Sequence, residues 1–554
     1  MLHNIMKTII RLLFCLFIVL AGSQWAWGAD TDPADWPKYH RTDAGWRYSP
    51  LDQINSKNIQ RLKVAWIHQP GEITNGLNAT PLVVDGVLYY TAAFNQTYAV
   101  DGATGKMIWQ YQPDLDPVVN ELLMAGISRG VTIGFGKVYI ATADGRYIAL
   151  DQKTGKEVWI RQVVDPRQCN CTFTSPPQLA GNILYSGSTG GDFAARGKIY
   201  AVNAETGEPV WTFDIIHDHP DSWPAKAARF GGGGAWLPGT YDQKTGTIYI
   251  GTGNAAPDFD GEARPGDNKY TATLLALDAA TGKLKWHYQE VPHDIWDYDA
   301  SYEVLQINRD GKDYLVHLNK NGFVFVYDKG TGKPEKVWPM AENITFADGF
   351  DIEKGDYIHR RETRRGETAT YCPGQLGARS WNHGAYNPKT GLWYSNVMEM
   401  CTTIQPAFVD PGSLGLMQIY FSTDVLKAVP PPGKAASTRL DARDPLTGKR
   451  LWSVTYDVPS LGSILTTGGN LVFNTDGKGM MRAHDARSGK ELWHFNMGSG
   501  SRGGIVSYAV NGKQYIAATS GVSGFVFGTI GSVYHKLSGV PGGAVVIAFT
   551  LDDE

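Results

Sequence analysis

Ala99-Val100-Asp101-Gly102-Ala103-Thr104-Gly105, followed four residues on by Trp109, is a phrase that the chain repeats. Its form is a small apolar strand end, Asp or Asn, two residues, Thr-Gly or Ser-Gly, and then Trp. Further copies run Ala149-Leu150-Asp151 to Trp159, Ala201-Val202-Asn203 to Trp211, Ala276-Leu277-Asp278 to Trp286, Val326-Tyr327-Asp328 to Trp338, Ala442-Arg443-Asp444 to Trp452 and Ala483-His484-Asp485 to Trp493, seven in all. Asp-x-x-Thr-Gly is hairpin chemistry, because Asp caps the turn and Gly supplies a positive φ. A Trp on the next strand can wedge between neighbouring four-stranded sheets. Strands on either side, with no helical stretches, predict an all-β chain folded as an eight-bladed β-propeller with tryptophan-docking repeats. The gaps of 75 residues after Trp211 and 114 after Trp338 leave room for inserted loops or a degenerate blade. The terminal strand around Ala544 to Leu551 is expected to complete the blade begun near the N-terminus.

Composition agrees. The chain has 554 residues, 42% hydrophobic and 12% aromatic, with 64 Gly, 17 Trp and only 19% charged residues. That suits many short strands and tight turns better than a helical bundle. The net charge of −4 with no Lys/Arg block argues against nucleic acid as a partner. Familiar catalytic strings are absent: no His-Glu-x-x-His, P-loop, Gly-x-Ser-x-Gly or Rossmann glycine pattern. Chemistry must therefore come from groups converging on the central channel.

Lys7 and Arg11 precede the apolar run from Leu12 to Ala21, and Ala26-Trp27-Gly28 offers a cleavage site. Residues 1–28 read as a secretory signal, leaving 29–554 as one propeller domain that is exported. No later segment is apolar over a membrane-spanning length. Beyond Cys15, four cysteines remain: Cys169, Cys171, Cys372 and Cys401. Cys372 with Cys401 is a sensible disulfide in an oxidising compartment. Cys169-Asn170-Cys171 is peculiar, because so small a ring usually strains the bridge. No Cys-x-x-Cys-His occurs, so the chain carries no attachment site for a c-type haem.

Several longer strings carry a resemblance. They are Gly251-Thr252-Gly253-Asn254-Ala255-Ala256-Pro257, Arg264-Pro265-Gly266-Asp267-Asn268 and Pro292-His293-Asp294-Ile295-Trp296-Asp297-Tyr298-Asp299, with Asp35-Trp36 and Arg47-Tyr48-Ser49 upstream. Together with the repeat, they make the chain resemble the periplasmic quinoprotein alcohol dehydrogenases, the methanol and ethanol dehydrogenase group, from Asp35 to about Leu551. That resemblance implies pyrroloquinoline quinone (PQQ) and one metal ion. It implies Asp297 as the catalytic base and Lys320 as the cation near the reacting quinone oxygens. Asn254, Asp297 and Asp192 become metal ligands. Asp299, two residues from Asp297 on an extended segment and so on the same face, resembles the mark of lanthanide-dependent members; calcium is the alternative. Trp236 is implied as the floor under the PQQ ring, Thr174, Thr189, Gly190 and Gly191 as hydrogen-bond donors, Arg129 as partner of a PQQ carboxylate, and Trp381 as a further contact.

The chain departs from the family at several places. Asp192 stands where Glu is usual, Ser380 where Asn is usual and Asn78 where a Glu is usual. Leu123 and Met124 stand where two adjacent cysteines form a disulfide roof over the ring, so the roof is either apolar or built with Cys169 and Cys171. Leu461 and Phe525 alter the substrate funnel. The expected activity is oxidation of an alcohol to an aldehyde or ketone, with electrons passed to a separate periplasmic cytochrome c. Two rivals stand beside it: a noncatalytic envelope scaffold, which explains the repeats but not Asn254, Asp297 and Asp299 together, and a PQQ enzyme for a polymeric, cyclic or aromatic alcohol.

Overall fold

Alternating burial along short strands builds eight sheets of four or five strands, and two smaller ones, in the computed structural model, which describes residues 31–552 apart from 72, 218–220, 380, 523–524 and the side chains of 525 and 526. The expected signal segment, Ser380 and the Phe525 side chain thus lie outside the described residues. Five of the sheets follow one another along the chain as simple four-stranded meanders, over 82–111, 132–162, 178–214, 240–289 and 304–339. The sixth joins Ala385–Asn387, Leu392–Glu399, Ser437–Arg443 and Arg450–Tyr456. The seventh spans 465–496 and gains Tyr48–Ser49 as a parallel edge strand.

The eighth sheet joins the two ends of the chain. Leu62–His68 pairs with Val545–Leu551 from Leu62 opposite Leu551 to His68 opposite Val546, as expected for the terminal strand. The largest apolar cluster lies here, where Trp66, Phe549 and Ile516 meet Leu88 and Val100 of the first sheet and Phe473 of the seventh.

The repeat turns have a common construction. Asp101 Oδ1 accepts from Thr104 N and Oγ1, and Gly105, at φ +70°, presents a bare backbone to an indole. That indole belongs to the preceding sheet. Trp66 lies on Gly105 and donates Nε1–H to Gly102 O at 2.9 Å; Trp109, Trp159 and Trp211 do the same for the turns at Gly155, Gly207 and Gly282. Trp338 and Trp452 repeat the contact at Gly448 and Gly489. Trp66 is the member that the repeat phrase did not include.

The two long gaps hold different things. Between Trp211 and Trp286 the extra residues form the loops 215–239 and 252–272. Between Trp338 and Trp452 lies a three-stranded sheet of Ala369–Tyr371, Cys401–Pro406 and Thr423–Val429, held by the Cys372–Cys401 disulfide. Cys169 and Cys171 are also joined to each other. No described helix is long and apolar enough to cross a membrane.

Candidate active site

The segment 292–299 leaves the fourth sheet without forming a strand, and its backbone is held by one buried carboxylate. Asp294 accepts from Trp296 N at 3.0 Å and Tyr298 N at 2.8 Å, bracketing Asp297, whose φ is +64°. A non-glycine residue in that region costs about 1 kcal/mol and is held there only by its surroundings. Burial pushes the Asp294 carboxyl up to about 6. Arg264, fully buried, donates to Pro257 O, Asp258 O and Asp294 O and to Asn268 Oδ1, so one guanidinium ties the 254–258 loop to the 292–299 loop. The Arg264 string of the sequence is thus a brace.

Three charges meet at the centre. Lys320 Nζ lies 2.6 Å from Asp297 Oδ1 and 3.0 Å from Asp299 Oδ2. The other oxygen of Asp299 accepts from Asn254 N at 2.9 Å and Trp236 Nε1 at 3.4 Å. Burial pushes the Asp297 carboxyl well up and Lys320 opposes it; Lys320 itself, despite its burial, is held as an ammonium by Asp297 and Asp299.

Behind this centre two more acids join, one of them from an unexpected place. One carboxylate oxygen each of Asp192, Asp258 and Asp297 lies within 4.8 Å of the other two. Asn254 faces the same loop, for a Cβ on Gly191 would collide with its Oδ1. Burial raises the Asp192 carboxyl to about 6 and Asp258 well above its ordinary range. Three crowded carboxylates and an amide oxygen are a donor set for a hard cation. Asp258 was not among the expected ligands, although it directly follows the Gly251–Pro257 string. Asp299 lies outside the three-carboxylate group, its oxygens engaged by Lys320, Asn254 and Trp236.

Over the centre lies a cavity open to solvent. Eleven of the twelve residues expected at the site line it: Arg129, Thr174, Thr189, Gly190, Gly191, Asp192, Trp236, Asp297, Asp299, Lys320 and Trp381; Asn254 sits behind them. Trp236 and Trp381 meet edge to face at 5.8 Å. Arg129 lies over Trp236 at 5.0 Å and is hydrogen-bonded to Thr174; Arg502 lies over Trp381 at 4.8 Å. Both guanidiniums are buried, and no described carboxylate pairs with either. Burial lowers Arg129 to about 10 and, with repulsion from Arg129, Arg502 to about 9. Two unmatched cations beside aromatic faces fit a flat ligand carrying several carboxylates. Arg502 escaped the sequence reading because nothing local marks it.

The roof is apolar. Met124 lines the cavity with Phe193, Leu376 and Phe421, while Leu123 is 48% exposed. Cys169 and Cys171 are not among the lining residues, and Leu461 is buried in an apolar cluster that also contains Leu376 of the cavity lining.

The PQQ β-propeller domain model of the glucose, ethanol and alcohol dehydrogenases matches residues 36–354 and 434–516. The chain belongs to that family. It is a PQQ-dependent alcohol dehydrogenase by its relatives as well: it is 33% identical to quinoprotein alcohol dehydrogenase PedH of Pseudomonas putida over 542 residues, covering 92% of this chain and 89% of that one. It is 35% identical to the quinohemoprotein alcohol dehydrogenase of Comamonas testosteroni, covering 88% and 73%. Among solved structures, a europium-containing methanol dehydrogenase superposes with a TM-score of 0.87 at 28% identity, covering 94% of this chain and 98% of that one.

Proposed function

We propose that this chain oxidises an alcohol to an aldehyde or ketone in the periplasm, with PQQ in the cavity beside Trp236 and a lanthanide ion at the carboxylate centre beneath it. The observation that carries the reading is the junction of two environments: a buried Lys320–Asp297–Asp299 cluster under a cavity holding two unmatched guanidiniums. When bound, PQQ and its ion supply a hydride acceptor and Lewis acidity. Arg129, Arg502, Thr174 and Thr189 hold the cofactor's carboxylates and carbonyls. Asp297 takes the alcohol's hydroxyl proton, general-base work in a site that Phe193, Leu376 and Phe421 keep poor in water. Lys320 offsets the negative charge gathered there.

Asp192, Asn254, Asp297 and Asp299 hold the ion. Asp299 beside Asp297 adds the charge that favours a trivalent ion over calcium, and the europium-containing relative supports the choice. With no Cys-x-x-Cys-His in the chain, electrons leave to a separate cytochrome c. The eight sheets are read as the eight blades of one propeller over 29–554, each repeat tryptophan docking its blade on the next. The apolar roof favours a polymeric, cyclic or aromatic alcohol among substrates. Reconstitution with PQQ plus lanthanum or calcium, followed by dye-linked turnover on primary, secondary and aromatic alcohols, tests this. Turnover with lanthanum that disappears in Asp299→Ala supports it; absence of turnover and of retained PQQ with both ions counts against it.

A further inference from the structure

Asp258 has no part in that scheme, yet it is the least satisfied group at the centre. Its side chain is fully buried, and neither carboxylate oxygen has a hydrogen-bond partner. Two other buried acids beside it are answered: Asp294 by two backbone N–H groups, Asp299 by Lys320, Trp236 and Asn254 N. A buried carboxyl without a donor either takes up a proton or is completed by a cation, and a cation is the partner that a cluster of several acids calls for.

The geometry says where that cation sits. Asp258 shares with Asp192 and Asp297 a cluster whose oxygens lie within 4.8 Å of one another. Oxygens bound to one hard ion at about 2.3–2.6 Å are at most about 5 Å apart, so all three fit around one ion. The loop that presents Asp258 is fixed from behind, because Arg264 holds Pro257 O at 3.0 Å and Asp258 O at 3.1 Å. Nothing else among the described residues gives this carboxylate a structural task.

We propose that Asp258 is a direct ligand of the ion, an additional carboxylate that completes a centre of Asp192, Asn254, Asp297 and Asp299. The inference rests on the reading that the ion sits at this centre. It has a charge consequence. Four carboxylates against the Lys320 ammonium leave three negative charges, which a trivalent ion neutralises and a divalent one does not. It also offsets the shorter reach of Asp192, since the two acids approach from different loops.

The test is titration of the metal-free full chain with terbium(III), read by tryptophan-sensitised luminescence, with lanthanum and calcium as competitors. The expected result is one tight site in the wild type, weakened at least 30-fold in Asp258→Asn, with a smaller lanthanum-over-calcium preference. Near-ultraviolet circular dichroism of the apoprotein is expected to be unchanged. Wild-type binding with Asp258→Asn within threefold of it would overturn the ligand role while leaving the ion site standing. A wild type that binds no terbium would remove the ion site and Asp258's role together. Should Asp258→Asn not fold, anomalous scattering from terbium-soaked wild-type crystals decides: an ion within about 2.6 Å of an Asp258 oxygen supports the role, and one beyond 4 Å ends it.

Discussion

Lys320 and Asp297 form a buried ion pair, Nζ to Oδ1 at 2.6 Å, and they come from different sheet connections 23 residues apart. Both side chains are at most 10% exposed, so each charge is answered chiefly by the other. The ammonium favours the anionic form of the base, against burial and the repulsion of Asp192 and Asp299. In Asp297→Asn, dye-linked turnover should therefore fall by about 10²–10⁴-fold, the usual contribution of a positioned base. Cofactor content per chain, read from near-ultraviolet absorbance after reconstitution, should stay the same. A parallel loss of PQQ would show that Asp297 holds the site together instead.

Arg502 offers a contrast, because its role is cofactor retention. Its Nη2 has no hydrogen-bond partner, and Arg129 repels it. Arg502→Leu should raise the melting temperature of the apoprotein and weaken PQQ binding by about 10–100-fold, the worth of one or two charge-assisted hydrogen bonds. Fluorescence titration of PQQ and a melting curve of the same sample check both signs.

Two tryptophans separate packing from function. Trp338 is nearly buried, lies on Gly448 and donates to Pro445 O at 3.2 Å. Trp338→Ala should cost about 3–5 kcal/mol in denaturant unfolding, as large aromatic deletions do. Trp236→Ala removes a cavity wall open to solvent, and should cost little stability but most of the retained PQQ. Equal stability losses in the two variants would argue against the assignment.

Acid sensitivity follows from a histidine pair away from the reacting centre. His40 and His383 are buried with rings stacked at 4.7 Å and Nδ1 atoms 3.2 Å apart. Burial and Arg47 lower His40 to about 3; burial, His40 and Arg47 take His383 well below its ordinary value. The folded state refuses protons that the unfolded chain accepts near pH 6.5. Stability is thus complete above pH 6.5 and falls as pH drops toward 3, by up to about 1.4 kcal/mol per pH unit for each histidine. Urea midpoints at pH 7, 6 and 5 should show this slope, and His40→Phe should lessen it.

Much of the site was legible because family-like strings are local: Asp297, Asp299, Lys320 and Trp236 could each be named from their neighbours, and the cavity gathers them. The structure changed the emphasis at two places. Asp299 has its oxygens engaged by Lys320, Asn254 and Trp236, whereas Asp258 presents an unanswered carboxylate. Neither fact has a sequence signal, since each depends on which groups from other loops arrive within hydrogen-bond reach.

The sequence by itself determined the repeating turn, because Asp-x-x-Thr-Gly closes its hydrogen bonds within five residues and needs nothing distant. It likewise determined that a tryptophan would follow each of the seven repeat turns on the next strand. Only the tertiary structure decided that Trp66 serves the first turn, that Leu62 lies opposite Leu551, and that Asp192, Asp258 and Asp297 converge. Those relationships join residues up to the length of the chain apart, and the packing of neighbouring sheets, which no local pattern encodes, sets their distances.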